Sequence, residues 1–505
     1  MKKIISVLGA PLFIGMLLLV AFAAPVSAQS NANPGFKLPN SPVSTSVLIA
    51  QGIRNGTIHL KGGASGGDIS TDLKCKPAPC AFKDRQVSEG GRPANETPIA
   101  ANPKNNKDLL TGANDYNCPN IQGFYSSTDG GKKWSTFCMQ SYAGGSGDGD
   151  PTVGYDLNGN SYIGGIDTGT PDGSDIVFQK SSNNGQTWSA PAPAVKPLFS
   201  GGLTDKDWMQ IDDNSSSPFA NAIYISVTQF NSSETGDAIS VSHSDDGGNT
   251  WKTVQVDTVQ NLPNLDQFSD LAIGKDGTVY VSWMRCLTSG PAGDCGGTKV
   301  NELVSKSTDG GNTWSSPVTI AQVQLVPDSC SCAYYGNIPN TRERVSNIPA
   351  IDIDNSGGSH KGNLYAVFYN WTGSQMQVEV ATSTNGGTTW GAPVRVTNAA
   401  NDEFFPWLTV SATGVIGVSW MDRRNDKSNL SYEEFGALST DGGATFGTNY
   451  QLASKPSNPN NDGFGGSFIG DYTGNYWAGK NLYAVWTDTR TGNDQEFIGG
   501  IKSKS

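Results

Sequence analysis

The stretch Ser307-Thr-Asp-Gly-Gly-Asn-Thr-Trp314 recurs with small changes five more times along the chain. The other copies are Ser127–Trp134 (STDGGKKW), Ser181–Trp188 (SSNNGQTW), Ser244–Trp251 (SDDGGNTW), Ser383–Trp390 (STNGGTTW) and Ser439–Phe446 (STDGGATF). Each reads Ser-x-Asp/Asn-x-Gly-x-x-aromatic, and that is the chemistry of a turn. An Asp or Asn side chain accepts hydrogen bonds from backbone N–H groups just downstream, and Ser does so more weakly. Gly supplies a positive φ without a Cβ clash. The Thr and the aromatic residue then resume a strand, with the ring free to bury beside the turn. Six copies of one turn imply six copies of one supersecondary unit.

Working outward from the turns, an alternating strand built around a Tyr lies upstream of most copies. Asn160-Ser-Tyr-Ile163, Ala222-Ile-Tyr-Ile-Ser-Val227, Thr278-Val-Tyr-Val-Ser-Trp283, Asn363-Leu-Tyr-Ala-Val-Phe368 and Asn481-Leu-Tyr-Ala-Val-Trp486 are the clear examples. Asp108-Leu-Leu-Thr-Gly112 and Val415-Ile-Gly-Val-Ser-Trp420 are looser ones, which makes seven strands for six turns. The repeat, roughly 50–85 residues long, occupies 92–505. Short evenly spaced strands without an amphipathic helical period predict an all-β fold, a β-propeller of four-stranded antiparallel blades. Seven blades are favoured, with six as the alternative. The last repeat, about 462–505, lacks the turn motif and a fourth strand, so another part of the chain is expected to close the ring. The apolar islands Val47–Ala50 and Ile58–Leu60 in the 29–91 arm are the expected closing strand.

The six turns resemble the Asp-box, and the chain is similar to the bacterial sialidases and the wider group of Asp-box (BNR-repeat) propellers. The resemblance implies that the boxes are structural and lie away from the propeller axis. It also implies a glycoside hydrolase of exo-α-sialidase type, with a non-catalytic propeller that binds glycan or protein at the cell surface as the alternative. A third reading is a hydrolase or lyase that works on another polysaccharide through an acid pair alone.

The ends and composition bear on where such a protein works. Residues 1–28 read as a secretory signal: Lys2 and Lys3, an apolar run over 11–24, then Val26-Ser-Ala28 as cleavage site. Loss of the two lysines takes the formal charge from −12 to −14. Such acidity argues against nucleic acid and anionic membrane as partners. No later run is long and apolar enough to insert in a membrane, so a secreted monomer with a carbohydrate or glycoconjugate partner is expected. Charged residues are 16% of the chain, against about 25% in ordinary domains. Eight cysteines in an exported chain predict disulfides. Proximity pairs Cys75 with Cys80, Cys118 with Cys138 and Cys286 with Cys295. Bridging one residue between Cys330 and Cys332 is strained, so these two are open to pairing with Cys75 and Cys80 instead. No cofactor is expected; a structural calcium is left open by Asp352-Ile-Asp-Asn-Ser356 and Asp156-Leu-Asn-Gly-Asn160, which turn chemistry also explains.

In a propeller the first strand of each blade lines the axial channel. Acidic and aromatic residues gather where those strands should begin: Glu96, Asp148, Asp150, Asp205, Asp207 with Trp208, Asp266, Glu403 with Phe404 and Phe405, and Asp471 with Tyr472. The sialidase resemblance implies a Tyr nucleophile assisted by a Glu, an Asp acid/base, and a clamp of Arg on the sugar carboxylate. Carried over by position, these are Tyr472, Glu403 and Asp115, with Arg92, Arg344 and Arg424 as the clamp and Arg285 and Arg490 as substitutes. Asp150, Asp207 and Trp208 join them as substrate-binding residues. The chain departs from the family at Arg92-Pro-Ala-Asn-Glu-Thr-Pro98, where an Arg-Ile-Pro is expected, and at Ala113-Asn-Asp115, where a second Arg is expected.

Overall fold

The computed structural model describes residues 40–60 and 75–504, apart from 172, 291 and 292. The signal-like segment therefore lies outside the described residues. Seven antiparallel sheets follow one another around an axis, six built from consecutive strands and the seventh completed by a strand from earlier in the chain; two carry a short fifth strand. The innermost strands, in order, are Ile99–Ala101 with Ala94–Asn95, Ser146–Tyr155, Leu203–Ile211, Asp266–Ile273, Ala350–Ile353, Glu403–Val410 and Gly474–Ala478. The Tyr-centred segments are the second strands, and Tyr162, Tyr224, Tyr280, Tyr365 and Tyr483 are all buried between blades.

Each of the six repeated turns joins the third strand of a blade to its fourth. The same bonds recur in all of them. At Ser307 the hydroxyl accepts from Gly311 N–H at 2.8 Å, while Asp309 Oδ1 accepts from Thr313 N–H at 2.9 Å. The Asn variants at Asn183 and Asn385 receive the equivalent Thr187 and Thr389 N–H groups. Gly310 and Gly311 sit at φ +71° and +87°, which explains the Gly in the motif.

The seventh blade has three strands from the C-terminus, and Cys80–Gln86 supplies its fourth, paired antiparallel to Gln495–Lys502. The closing strand is thus neither island expected from sequence. Val47–Ala50 lies inside an α-helix, Thr45–Arg54, and Ile58–Leu60 forms no strand. A four-residue apolar run has no period of its own to separate helix from strand. Here the helix buries Val47 against blades two and three, and Ile49 and Ala50 against Tyr116, Phe464 and Phe468.

The cysteine pairs are Cys75–Cys80, Cys118–Cys138, Cys286–Cys295 and Cys330–Cys332. The last corrects the alternative of pairing Cys330 and Cys332 with Cys75 and Cys80. Asp328 folds that loop on itself, accepting from Cys330 N–H at 3.0 Å and Cys332 N–H at 2.9 Å. Ser331 between them takes φ +52°.

Innermost strands of neighbouring blades are tied to one another by side chains. Thr152 Oγ1 accepts from Met209 N–H, Asp270 Oδ2 from Ile351 N–H and Asp352 Oδ2 from Val410 N–H, each at 2.7 Å. Several acids of the axial channel therefore have structural work.

Candidate functional site at the axial mouth

A local irregularity in the innermost strands builds the site. Glu96, Asp150, Lys206, Phe268 and Phe405 all have φ between 45° and 67°, at corresponding places near the start of five innermost strands. In the second, third, fourth and sixth blades the pairing register shifts across that residue. A bulge with a non-glycine residue in the left-handed region re-aims side chains and is enriched at functional sites. Here it turns Glu96, Asp150 and Lys206 toward one end of the axis.

The resulting cluster is polar and closed off. Lys206 is 1% exposed; its Nζ lies 4.6 Å from the ring centre of Trp208 and 4.3 Å from that of Tyr472. The Trp208 and Tyr472 rings meet edge to face at 5.6 Å. Arg344 pairs with Asp471 at 2.9 Å. The backbone N–H of Asp471 donates to Glu96 Oε1 at 3.0 Å, and Asn114 Nδ2 donates to Glu96 Oε2 at 2.6 Å. Asn114 Oδ1 in turn accepts from Asp150 N–H at 2.8 Å, so one side chain bridges the two acids. Neither carboxylate oxygen of the fully buried Asp207 meets a donor among the described residues.

Burial sets the electrostatics. It pushes Glu96 well above the carboxylate range, and the charges of Asp150 and Asp471 add to the shift. Burial and Asp150 likewise raise Asp207 strongly and Asp205 to about 7. Asp471 reaches only about 6, since Arg344 opposes its burial. Lys206 is lowered by burial against the pull of Asp150, Asp207, Asp270 and Glu96. Tyr472 is raised, by burial and then by Glu96 and Asp150. Its hydroxyl donates to Pro151 O at 3.0 Å, so no carboxylate receives its proton. The chemical content is two neighbouring buried acids, Glu96 and Asp150, flanked by one lysine, one arginine and two aromatic faces.

Of the residues expected from sequence, Tyr472, Arg344, Asp150, Asp207 and Trp208 meet in this cluster. Glu403 does not: its Oε2 accepts from Val378 N–H at 3.0 Å in the neighbouring blade, with Arg395 3.6 Å away. Burial raises Glu403 to about 8. Asp115 accepts from Tyr125 OH at 2.8 Å and Asn117 N–H at 2.9 Å, bracing a loop of the first blade. Arg92 is exposed and donates to Tyr116 O at 3.3 Å. The other three arginines are held by other acids. Arg285 is bound by Asp266 and Asp257, Arg424 by Asp422, and Arg490 by Asp488 and Asp84. Two belong to a repeated Trp-x-Asp-x-Arg pattern, 420–424 and 486–490, in which the indole N–H and the guanidinium share one Asp.

Sequence reading missed Lys206, the lysine on the axis; its signal was a lone cation between two aspartates, Asp205 and Asp207, in a chain poor in charge. It also missed Gln267 and Tyr335, which no motif marks. Gln267 Nε2 donates to Asp205 Oδ2 at 2.7 Å.

The mouth is covered by the chain itself. Residues 42–54 lie over it, with Val43, Ser44, Thr45, Ser46 and Val47 all at most 2% exposed. Arg54 forms an ion pair with Asp148 at the rim. From the other face, a channel of about 490 Å³ runs inward past Tyr155, Asp352 and Trp477 and reaches Trp208, Trp407 and Asp270.

The chain matches no protein-family model and no curated protein. Solved structures with a similar chain course include the Hadza microbial sialidase Hz136, at 15% identity and TM-score 0.43, covering 67% of this chain and 66% of that one. The intramolecular trans-sialidase from Ruminococcus gnavus is 13% identical with TM-score 0.44, covering 73% of this chain and 96% of that one. The α-L-arabinanase from Penicillium chrysogenum is 10% identical with TM-score 0.43, covering 70% of this chain and 92% of its own.

Proposed function

We propose that the protein is an exported glycoside hydrolase whose reaction centre is the axial cluster around Glu96 and Asp150. The observation that carries this reading is that pair of fully buried acids, bridged by Asn114, which donates to Glu96 Oε2 at 2.6 Å and accepts from Asp150 N–H at 2.8 Å, beside Lys206, Arg344 and Tyr472. Hydrolysis of a glycoside needs one carboxyl that holds a proton for the leaving oxygen and one group that takes a proton from water. Burial, with the charges of Asp150 and Asp471, favours the protonated form of Glu96, which suits the first task. Asp150 already accepts from two hydroxyls in the closed structure, which suits the second. Arg344 and Lys206 favour a sugar carrying a carboxylate, in keeping with the Asp-box resemblance to sialidases. Tyr472 faces the pair as an axial hydroxyl rather than as the partner of Glu403.

A second reading, a non-catalytic propeller that binds glycan or protein, is favoured by the covering of the mouth by residues 42–54. A fluorogenic panel of sialosides, uronides and neutral glycosides separates the two. Turnover of a member by the wild type, or by a variant whose cover is expelled, is expected to fall at least about a hundredfold in Glu96→Gln with an unchanged melting curve. Absence of turnover by both the wild type and the uncovered variant leaves the binding reading in its place.

A further inference from the structure

The segment over the mouth makes contacts of a kind that packing alone does not require. Pro42 O accepts from Tyr335 OH at 3.0 Å and from Gln267 Nε2 at 3.3 Å. Val43 O accepts from Arg344 Nη1 at 2.7 Å. Ser44 N–H donates to Asp205 Oδ2 at 2.9 Å, and its hydroxyl donates to Asp150 Oδ1 at 3.0 Å. Thr45 Oγ1 accepts from Arg344 Nη1 at 3.1 Å, and Ser46 Oγ donates to Asp150 Oδ1 at 2.6 Å. Main-chain carbonyls meet donors, a main-chain N–H meets a carboxylate, and two hydroxyls meet a second carboxylate. The donors and acceptors come from three different blades and from the loop that carries Tyr335 and Arg344. Matching of this kind is how a site recognises a ligand.

We infer that the axial mouth is a peptide-binding site, and that residues 42–46 are its ligand in cis, exchangeable for an extended hydroxyl-bearing peptide in trans. One feature makes exchange physically reasonable. Ser44 stands at the N-cap position of the helix but makes no capping bond, because its hydroxyl is spent on Asp150 and Ser46. The helix is therefore held by the site rather than by its own end. The inference deepens the functional reading and rests on it in one respect: a sugar can use the cluster only when this ligand is out.

The test uses the full mature chain. In Ser46→Glu a second carboxylate faces Asp150, and in Ser44→Ala/Ser46→Ala both hydroxyls are lost without added bulk. Amide exchange over 45–54 is expected to speed up at least about tenfold in both variants while the blades keep their protection. A labelled synthetic peptide of residues 40–56 is expected to bind Ser46→Glu and not the wild type. Unchanged exchange over 45–54 in both variants overturns the inference, as does loss of protection there only together with the blades. Failure of the peptide to bind either variant at about millimolar concentration also overturns it. Peptide binding without turnover of any glycoside supports the peptide site and removes the hydrolase reading, so the two fail separately.

Discussion

Arg490→Leu tests whether the arginines flanking the second strands are ligands for substrate or staples of the fold. The guanidinium donates from Nε to Asp488 Oδ1 at 2.9 Å and from Nη2 to Asp488 Oδ2 at 2.6 Å. Nη1 reaches Asp84 Oδ2 and Ser454 Oγ, both at 2.9 Å, and the plane lies 4.4 Å from the centre of Phe497. Asp84 belongs to the closing strand, so this one side chain ties the N-terminal strand to the last blade. Both acids are fully buried. Removing the cation leaves their charge poorly compensated, a loss of about 3–5 kcal/mol for a broken buried pair. Leucine keeps contact with Phe497, which places the expected value near the lower end. With about 2.1 cal/mol/K of unfolding entropy per residue, a chain of this length loses about 1 °C in Tm per kcal/mol, so a fall of about 3 °C is expected. Arg490→Lys should recover only part of it, because an ammonium cannot reproduce the two-point fork on Asp488. Differential scanning fluorimetry reads the shift, and titration with a glycan or substrate analogue reads the site. A Tm change under about 1 °C, or lost affinity in a fully folded protein, refutes the staple argument.

The repeated turns and the titrating acids offer two further checks. Asp309→Ala removes the acceptor for Thr313 N–H, Thr313 Oγ1 and Ser307 Oγ. The turn is largely solvated, so a loss of about 1 kcal/mol with unchanged activity per folded molecule is expected; a fall in activity without a thermal shift contradicts the turn's purely structural role. Stability should also depend on pH with an acidic optimum. Burial raises Asp205, Asp270 and Asp352 to about 7, so the folded state binds their protons more tightly. Their contribution is complete below about pH 4 and is lost as pH rises toward 7. Turn hydrogen bonds lower Asp246 and Asp309 to about 2, and that contribution is lost as pH falls from about 4 through 2. Melting temperatures should therefore be highest near pH 4–5 and lower at pH 8; a Tm that rises steadily from pH 5 to pH 8 contradicts this assignment.

What could be read from sequence was local in its physics. The Ser-x-Asp/Asn turns satisfy their own backbone within five residues, so their number and spacing mark the blades before any packing is known. The Tyr strands carry a period of two because successive side chains of a strand point to opposite faces of the blade. Cys118–Cys138 and Cys286–Cys295 close loops short enough for proximity alone to match them. The missing fourth strand of the last blade was visible for the same reason, as a repeat cut short. Which segment fills it was not visible: Cys80–Gln86 and Gln495–Lys502 are some 400 residues apart, and nothing in either names the other. Only the tertiary structure decided that Val47–Ala50 is helical, because the choice came from the mouth it covers. It alone separated Arg344, which reaches the axial cluster, from Arg285, Arg424 and Arg490, which other aspartates hold. And it alone placed Lys206 between Trp208 and Tyr472, since a left-handed residue in a bulge is a demand of ring closure rather than of local propensity.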